Sequence, residues 1–239
     1  MHALLLIALP LLQTIALEGD THHVQGIAVE GNTLWVTSVD RAAQKGFLSE
    51  YALDTGRRIR SVELQKGDTF HPGGFDQDEE SLWIPVAEYR PNSHTLIQRR
   101  SKQTLELLSS FEVPDHIGCL AVLSSSLIAA NWDARKFYTY SLDGKQQSVR
   151  NNPNLTRYQD IKYRDGAIIA SGLYPKGRTG GAVEWLDPET FMPMRTESFA
   201  LTDRGTPFNN EGMELRDNRL YLLPEDSHSR LFVFDLSQQ

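Results

Sequence analysis

Several familiar chemistries are missing from these 239 residues. There is one cysteine, Cys119, so no disulfide can form within the chain. Its place in an apolar run reads as a buried, inert thiol. Lysine and arginine form no cluster, and 24 bases face 31 acids for a formal charge of −7. That balance argues against a nucleic-acid partner. No apolar run is long enough to span a bilayer; Met1 to Leu12 comes nearest and is too short. GxSxG, HExxH, Walker and GxGxxG patterns are absent, which removes the common hydrolase, zinc-protease and nucleotide signatures. No stretch reads as a long amphipathic helix.

What is present is repetition. HHVQGIAVEGNTLWVTSVD (22–40), FHPGGFDQDEESLWIPVAE (70–88), DHIGCLAVLSSSLIAANWD (115–133), RYQDIKYRDGAIIASGLYP (157–175) and NNEGMELRDNRLYLLPEDS (209–227) superpose without a gap. Each runs polar start, small-residue pair, apolar strand, tight turn, second apolar strand. Two further strand-like runs follow the first four repeats, as in FLSEYAL (47–53) and RRIRSVEL (57–64) around an Asp54-Thr55-Gly56 turn. The fifth repeat has only RLFVFDL (230–236) after it. Leu11 to Leu17 supplies the missing strand. The pattern predicts an all-β, five-bladed β-propeller in which the N-terminal strand closes the last blade. It spans 11–239 as a single domain, with blades at about 22–64, 70–113, 115–150, 157–201 and 209–236 plus 11–17. Residues 1–10 read either as the remnant of an export signal, although no Lys or Arg precedes the apolar run, or as an extension of the first strand. The first reading places the protein in the periplasm or outside the cell; the second leaves the cytoplasm open.

In such a ring, the starts of first strands and the ends of second strands meet at one mouth of the axial channel. The alignment therefore predicts three rings of side chains. The first is His23, His71, His116, Arg157 and Asn209. Three imidazoles at one repeat position, out of seven histidines in the chain, can bind a metal ion or can simply hydrogen-bond neighbouring blades. Arg157 suits an anionic group. Two residues on come Gln25, Gly73, Gly118, Gln159 and Glu211. Glu211 is a further ligand or a general base, and the glycines answer crowding at the axis. Between these two rings' successors lies Asp160, an acid among small residues that needs a partner if buried. The third ring is Asp40, Glu88, Asp133, Tyr174 and Asp226, a negative rim or ordinary turn chemistry. His22, Asp115 and Glu225 lie near the same mouth, and Tyr89 and Trp132 offer an apolar wall.

HHVQG (22–26), HPGG (71–74), PVAEYRP (85–91), DHIG (115–118), YQD (158–160) and PEDS followed by LFVFD (224–235) occur in order. In this the chain resembles an uncharacterised family of microbial β-propeller proteins, over nearly its whole length from Leu12. More distantly, QGIAVEGNTLWVTS (25–38) with LSEYALDTGRRIRSVEL (48–64), and NEGMELRDNRLYLLPEDSHSRLFVFD (210–235), are similar to the opening and closing blades of plant-type glutaminyl cyclases. That resemblance implies a five-bladed propeller. It does not carry over the cyclase reaction, because the place of that family's functional glutamate, after Leu34-Trp35, holds Val36. Sugar-lactone lactonases, also propellers, hold a channel metal with Glu, Asn and Asp; Glu211, Asn209 and Asp226 match them in residue type alone.

These readings lead to one functional expectation. A divalent metal, zinc or similar or else calcium, sits at the mouth on His23, His71, His116 and Glu211. The protein acts as a metal-assisted hydrolase or lactonase on a small anionic substrate, with Glu211 and Arg157 at the reacting group. The alternative is a non-catalytic ligand- or protein-binding propeller.

Overall fold

The computed structural model describes residues 9–237. The export-signal reading of residues 1–10 falls largely outside them. Five antiparallel sheets are arranged as a five-bladed β-propeller. Blade 1 consists of His23–Glu30, Thr33–Asp40, Lys45–Ala52 and Arg58–Glu63. Blade 2 consists of Thr69–Pro72, Asp76–Gln77, Ser81–Glu88, Thr95–Ser101 and Leu107–Val113. Its innermost strand is broken between Pro72 and Asp76. Ile117–Val122, Ser126–Asn131, Lys136–Ser141 and Gln146–Asn151 form blade 3, and Arg157–Arg164, Ala167–Leu173, Gly181–Leu186 and Pro193–Phe199 form blade 4. In blade 5, Glu211–Arg216, Arg219–Pro224 and Arg230–Asp235 are completed by Leu11–Ala16, which pairs Thr14 with Phe232 and Ile15 with Leu231. This strand fastens the two ends of the chain together and leaves only short edges exposed.

The burial pattern explains why the repeats form blades. The first two strands of each unit are apolar on both faces because each face packs on a neighbouring blade, as in Thr33–Asp40 and Ser81–Glu88. The outermost strands are largely exposed. Each seam has its own apolar cluster. Ile27, Tyr51, Leu223 and Leu231 fill the seam between blades 5 and 1. Cys119, Phe137, Tyr158 and Ile161 fill that between blades 3 and 4. Cys119 is fully buried there, and burial pushes its thiol pKa up. The only helical turn among the described residues is the short 3₁₀ piece Trp132–Ala134.

At the axis, the first strands pack backbone to backbone. Gly74 N–H donates to Gly118 O at 2.9 Å, and Leu120 N–H to Gly74 O at 3.1 Å. A Cβ on Gly73 would lie 2.0 Å from Gly118 O, whereas one on Gly118 would meet nothing nearer than 3.6 Å. Axial crowding therefore accounts for Gly73 and not for Gly118. Gly73→Ala is expected to lower stability by about 1–3 kcal/mol or more, because backbone must move. Gly118→Ala should change it by under about 0.5 kcal/mol. Urea midpoints of the two variants compare them; equal losses would show that the strands have room to give.

Below this point the channel is closed by buried charges. Asp160 and Lys162 are both fully buried, and Lys162 Nζ is 2.5 Å from Asp160 Oδ1. Lys162 also donates to Phe75 O. Asp160 Oδ2 accepts from Ile27 N at 3.2 Å and Met213 N at 3.0 Å. Beyond them Arg164 joins Asp76 at 2.9 Å and Glu214 at 2.8 Å. Asp76 also accepts from Val122 N at 2.9 Å. One ionic column thus touches all five blades.

Candidate functional site

Backbone irregularities at one repeat position shape the mouth. Pairing register slips between Val24 and Gly26, between Ile117 and Cys119, and between Tyr158 and Asp160. The bulged residues are Gln25, Gly118 and Gln159. A bulge re-aims a side chain and interrupts strand alternation. Blade 2 breaks its strand at the corresponding Gly73-Gly74. In blade 5 the equivalent residue, Glu211, has φ = 111°. That conformation is costly for a residue with a Cβ, and such strain concentrates at functional sites.

The result is a cavity of about 140 Å³ lined by His23, Gln25, His71, Tyr89, His116, Gly118, Trp132, Asp133, Tyr158, Gln159 and Glu211. Its histidines are individually oriented. Gln25 Nε2 donates to Val24 O at 2.9 Å, so its Oε1 accepts from His71 Nε2 at 3.0 Å. His71 Nδ1 is then the lone-pair nitrogen, and it is buried with no partner. His116 Nδ1 lies 2.9 Å from Arg90 O, which can only accept, so its lone pair is on Nε2. Burial holds His71 well below the usual imidazole pKa, helped by repulsion from His116, His23 and Arg41. It brings His116 down to about 4 despite the Arg90 carbonyl and Asp115. Both rings are therefore neutral at physiological pH. Trp132 packs edge-on against His116 at 4.5 Å between centroids, and Tyr89 against His71 at 4.3 Å.

The three imidazoles share the cavity without converging. Among the described residues, the one group whose ligand atoms all lie within 4.8 Å of one another is His23, Glu211 and Glu225. The three histidines expected as a ligand set from the alignment do not form such a group among the described residues. The reason is local: His71 and His116 are each turned by a hydrogen bond to the preceding blade, to Gln25 and to the Arg90 carbonyl. Glu211 pairs with Pro224 across blade 5, which brings Glu225 beside it, while His23 opens the first strand of the adjacent blade. His23 Nδ1 stands 2.7 Å from Glu225 Oε1, a contact of ion-pair length but off the hydrogen-bond direction. That imidazole holds Glu225 below the ordinary carboxylate range. Burial pushes Glu211 well above it, and the neighbouring Glu225 charge adds to the shift.

His23 and Glu225 also face a second, open depression of about 780 Å³, lined further by Asp20, His22, Asp40, Arg41, Asp226 and His228. The two spaces meet at His23. Of the predicted negative rim, Asp133 borders the small cavity, and Asp40 and Asp226 border the depression. Asp226 is occupied by Arg230 at 2.6 Å and Arg204 at 3.4 Å. Glu88 is turned to Arg90 at 2.6 Å and His94 at 2.8 Å. Asn209 is fully buried with Nδ2 on Ser171 at 3.1 Å. The Glu211, Asn209 and Asp226 set is therefore not assembled. Asp160 belongs to the ionic column, and Arg157 stands 3.6 Å from Asp133 without lining the cavity. Sequence reasoning gave no role to Arg41 and only a peripheral one to Glu225. Both follow a second strand in their blade, at the same mouth, and that placement is the signal that could have found them.

Residues 9–161, which carry the opening blades and most of the cavity's histidine and aromatic wall, match a family of unknown function (DUF6454). The chain belongs to that family. No curated protein matches this DUF6454 member. Among solved structures it is similar to Myxococcus xanthus glutaminyl cyclase, at 14% identity and a TM-score of 0.71, over 96% of this chain and 98% of that one. It is also similar to the Neurospora crassa Pan2 WD40 domain, at 15% identity and a TM-score of 0.54, over 96% of this chain and 69% of that one. At such identities the likeness establishes the propeller fold, and chemistry must be argued from the site. No helix among the described residues is long and apolar enough to cross a membrane.

Proposed function

We propose that this DUF6454 propeller holds a divalent cation on His23, Glu211 and Glu225 and acts on a small ligand in the adjoining cavity, by hydrolysis or lactone opening. The observation that carries this reading is Glu211: buried, strained at φ = 111°, and within 4.8 Å of a histidine nitrogen and a second carboxylate. Strain and burial of a carboxyl both cost stability, and a bound cation would offset both. One nitrogen and two carboxylate donors fit zinc or a similar ion better than calcium, which seeks six to eight oxygens. When bound, such an ion supplies Lewis-acid polarisation of a carbonyl. The chain's own groups complete the site. His71 Nδ1 and His116 Nε2 offer neutral lone pairs that can accept a hydrogen bond from ligand or water. Gln25 and Gln159 can orient a carbonyl or hydroxyl, and Trp132 and Tyr89 exclude solvent. Because burial favours the protonated form of Glu211, cation binding competes with that proton, so affinity rises with pH.

Equilibrium dialysis of untagged protein against Zn²⁺ tests the assignment. Wild type is expected to retain about one equivalent. Glu211→Gln and His23→Gln should bind more than about tenfold more weakly, while His71→Ala keeps its zinc. No stoichiometric retention by wild type would end the reading. Loss in His71→Ala with retention in Glu211→Gln would restore the three-histidine set instead.

A further inference from the structure

The anion-recognising residue of this site is a separate question, and the sequence offered Arg157. That residue pairs with Asp133 at 3.6 Å and is not among the residues that line the cavity. Arg41 is differently placed. It follows the second strand of blade 1, in the turn where Asp40 Oδ1 accepts from Ala42 N and Ala43 N, both at 2.9 Å. Its guanidinium lines the open depression and lies 5.3 Å from the centre of the Tyr89 ring, which walls the small cavity. Its one carboxylate contact is long, 3.9 Å to Glu225, whose same oxygen is 2.7 Å from His23. Arg41 is therefore an exposed cation at the junction of the two spaces, held against an aromatic face and only loosely paired.

We infer that Arg41 is the specificity-determining residue of the site and selects ligands that carry a carboxylate next to the group entering the cavity. A planar guanidinium matches a carboxylate with two parallel N–H donors. The cation–π contact with Tyr89 holds the guanidinium at the cavity wall. The inner space of about 140 Å³ admits only a small head group. The favoured class is thus a small hydroxy- or acyl-carboxylate, with the carboxylate at Arg41 and the polar head beside His71, His116 and Glu211. This rests on the proposed function only in sharing its cavity, and the two fail separately.

The test uses quenching of tryptophan fluorescence, with Trp132→Phe as the control for signal from the cavity. The probes are glycolate and its uncharged near-isostere glycolamide, titrated into zinc-dialysed protein. Wild type is expected to prefer glycolate by about tenfold or more. Arg41→Gln should abolish the preference while retaining its zinc, Arg41→Lys should keep part of it, and Arg157→Gln should leave it intact. Equal response to both probes, response to neither, preference surviving in Arg41→Gln, or preference lost in Arg157→Gln each overturns the inference. If wild type takes up no zinc yet still prefers glycolate in an Arg41-dependent way, the cation assignment falls and the role of Arg41 stands.

Discussion

Asp160→Ala is expected to lower stability by about 3–5 kcal/mol, which is the cost of leaving the partner charge of a buried pair uncompensated. Lys162 Nζ is fully buried and has only Asp160 and the Phe75 carbonyl for company. Among the described residues no other carboxylate stands within ion-pair distance of Lys162 to take over. Asp160 also accepts backbone N–H groups from Ile27 and Met213, on blades 1 and 5, which would be orphaned in the same step. Burial pushes the Asp160 pKa up to about 7, against the pull of the Lys162 ammonium and both amides. The pair is thus an expensive arrangement held by its mutual contacts. In thermal unfolding the loss corresponds to roughly 6–20 °C for a domain of this size. The companion variant Lys162→Met leaves the aspartate free to take up a proton, so it should cost less. The double variant should be far less damaged than the sum of the two, because each single change is destabilising mainly through the partner it strands. Urea unfolding of the four proteins measures this. Additive losses, or a single-variant loss under about 1 kcal/mol, would show that the column is dispensable.

The ionic column also marks where the sequence stops being readable. The five-bladed ring and its closure by Leu11–Ala16 follow from a local signal repeated five times. Leu34, Leu82, Leu127, Ile168 and Leu220 occupy equivalent places because each fills a seam, and all are fully buried. One repeat constrains the others, so errors in a single strand do not propagate. The same symmetry brings His23, His71 and His116 to one cavity. It cannot say how each ring is turned. That depends on Gln25, on the Arg90 carbonyl and on Glu225, partners that differ from blade to blade. Strand alternation fails at this ring too, since Gln25, Gly118 and Gln159 are bulged and Glu211 has a positive φ. Arg41 and Glu225 follow their strands in turns, where no periodicity assigns a direction. Asp160 was conspicuous as an acid among small residues. Its partner Lys162 sits two residues along the same strand, so the pair joins blades through a register that only the folded ring fixes.

Acid sensitivity should separate the orienting histidines from ordinary surface charge. A His116 pKa near 4 in the folded protein, against about 6.5 when unfolded, means that below pH 6.5 the unfolded chain binds a proton the native protein refuses. Stability contributed by neutral His116 is therefore complete above pH 6.5 and is lost as pH falls toward 4. The total is on the order of 3 kcal/mol at about 1.4 kcal/mol per pH unit. His71, lowered further by burial, acts in the same direction. Glu211 opposes them, because its raised pKa lets the native state keep a proton that the unfolded chain releases above about pH 4.5. Its contribution is lost as pH rises. Asp160, pushed up to about 7 by burial, and Glu214, raised likewise, act on the same side as Glu211, so the cavity groups are read from variants compared with wild type and not from the wild-type curve alone. His116→Gln retains an amide that can donate to the Arg90 carbonyl and removes the titration. The slope of its stability against pH, measured by urea unfolding in the presence of a chelator, should be lower than that of wild type by about 1.4 kcal/mol per pH unit between pH 4.5 and 6.5. Glu211→Gln should move the slope in the opposite direction. Every other titrating group is common to the three proteins, so the differences isolate these two side chains. Parallel curves would mean that water reaches the cavity freely and that neither group is desolvated, which would remove the basis for a dry, pre-oriented site at the mouth of the propeller.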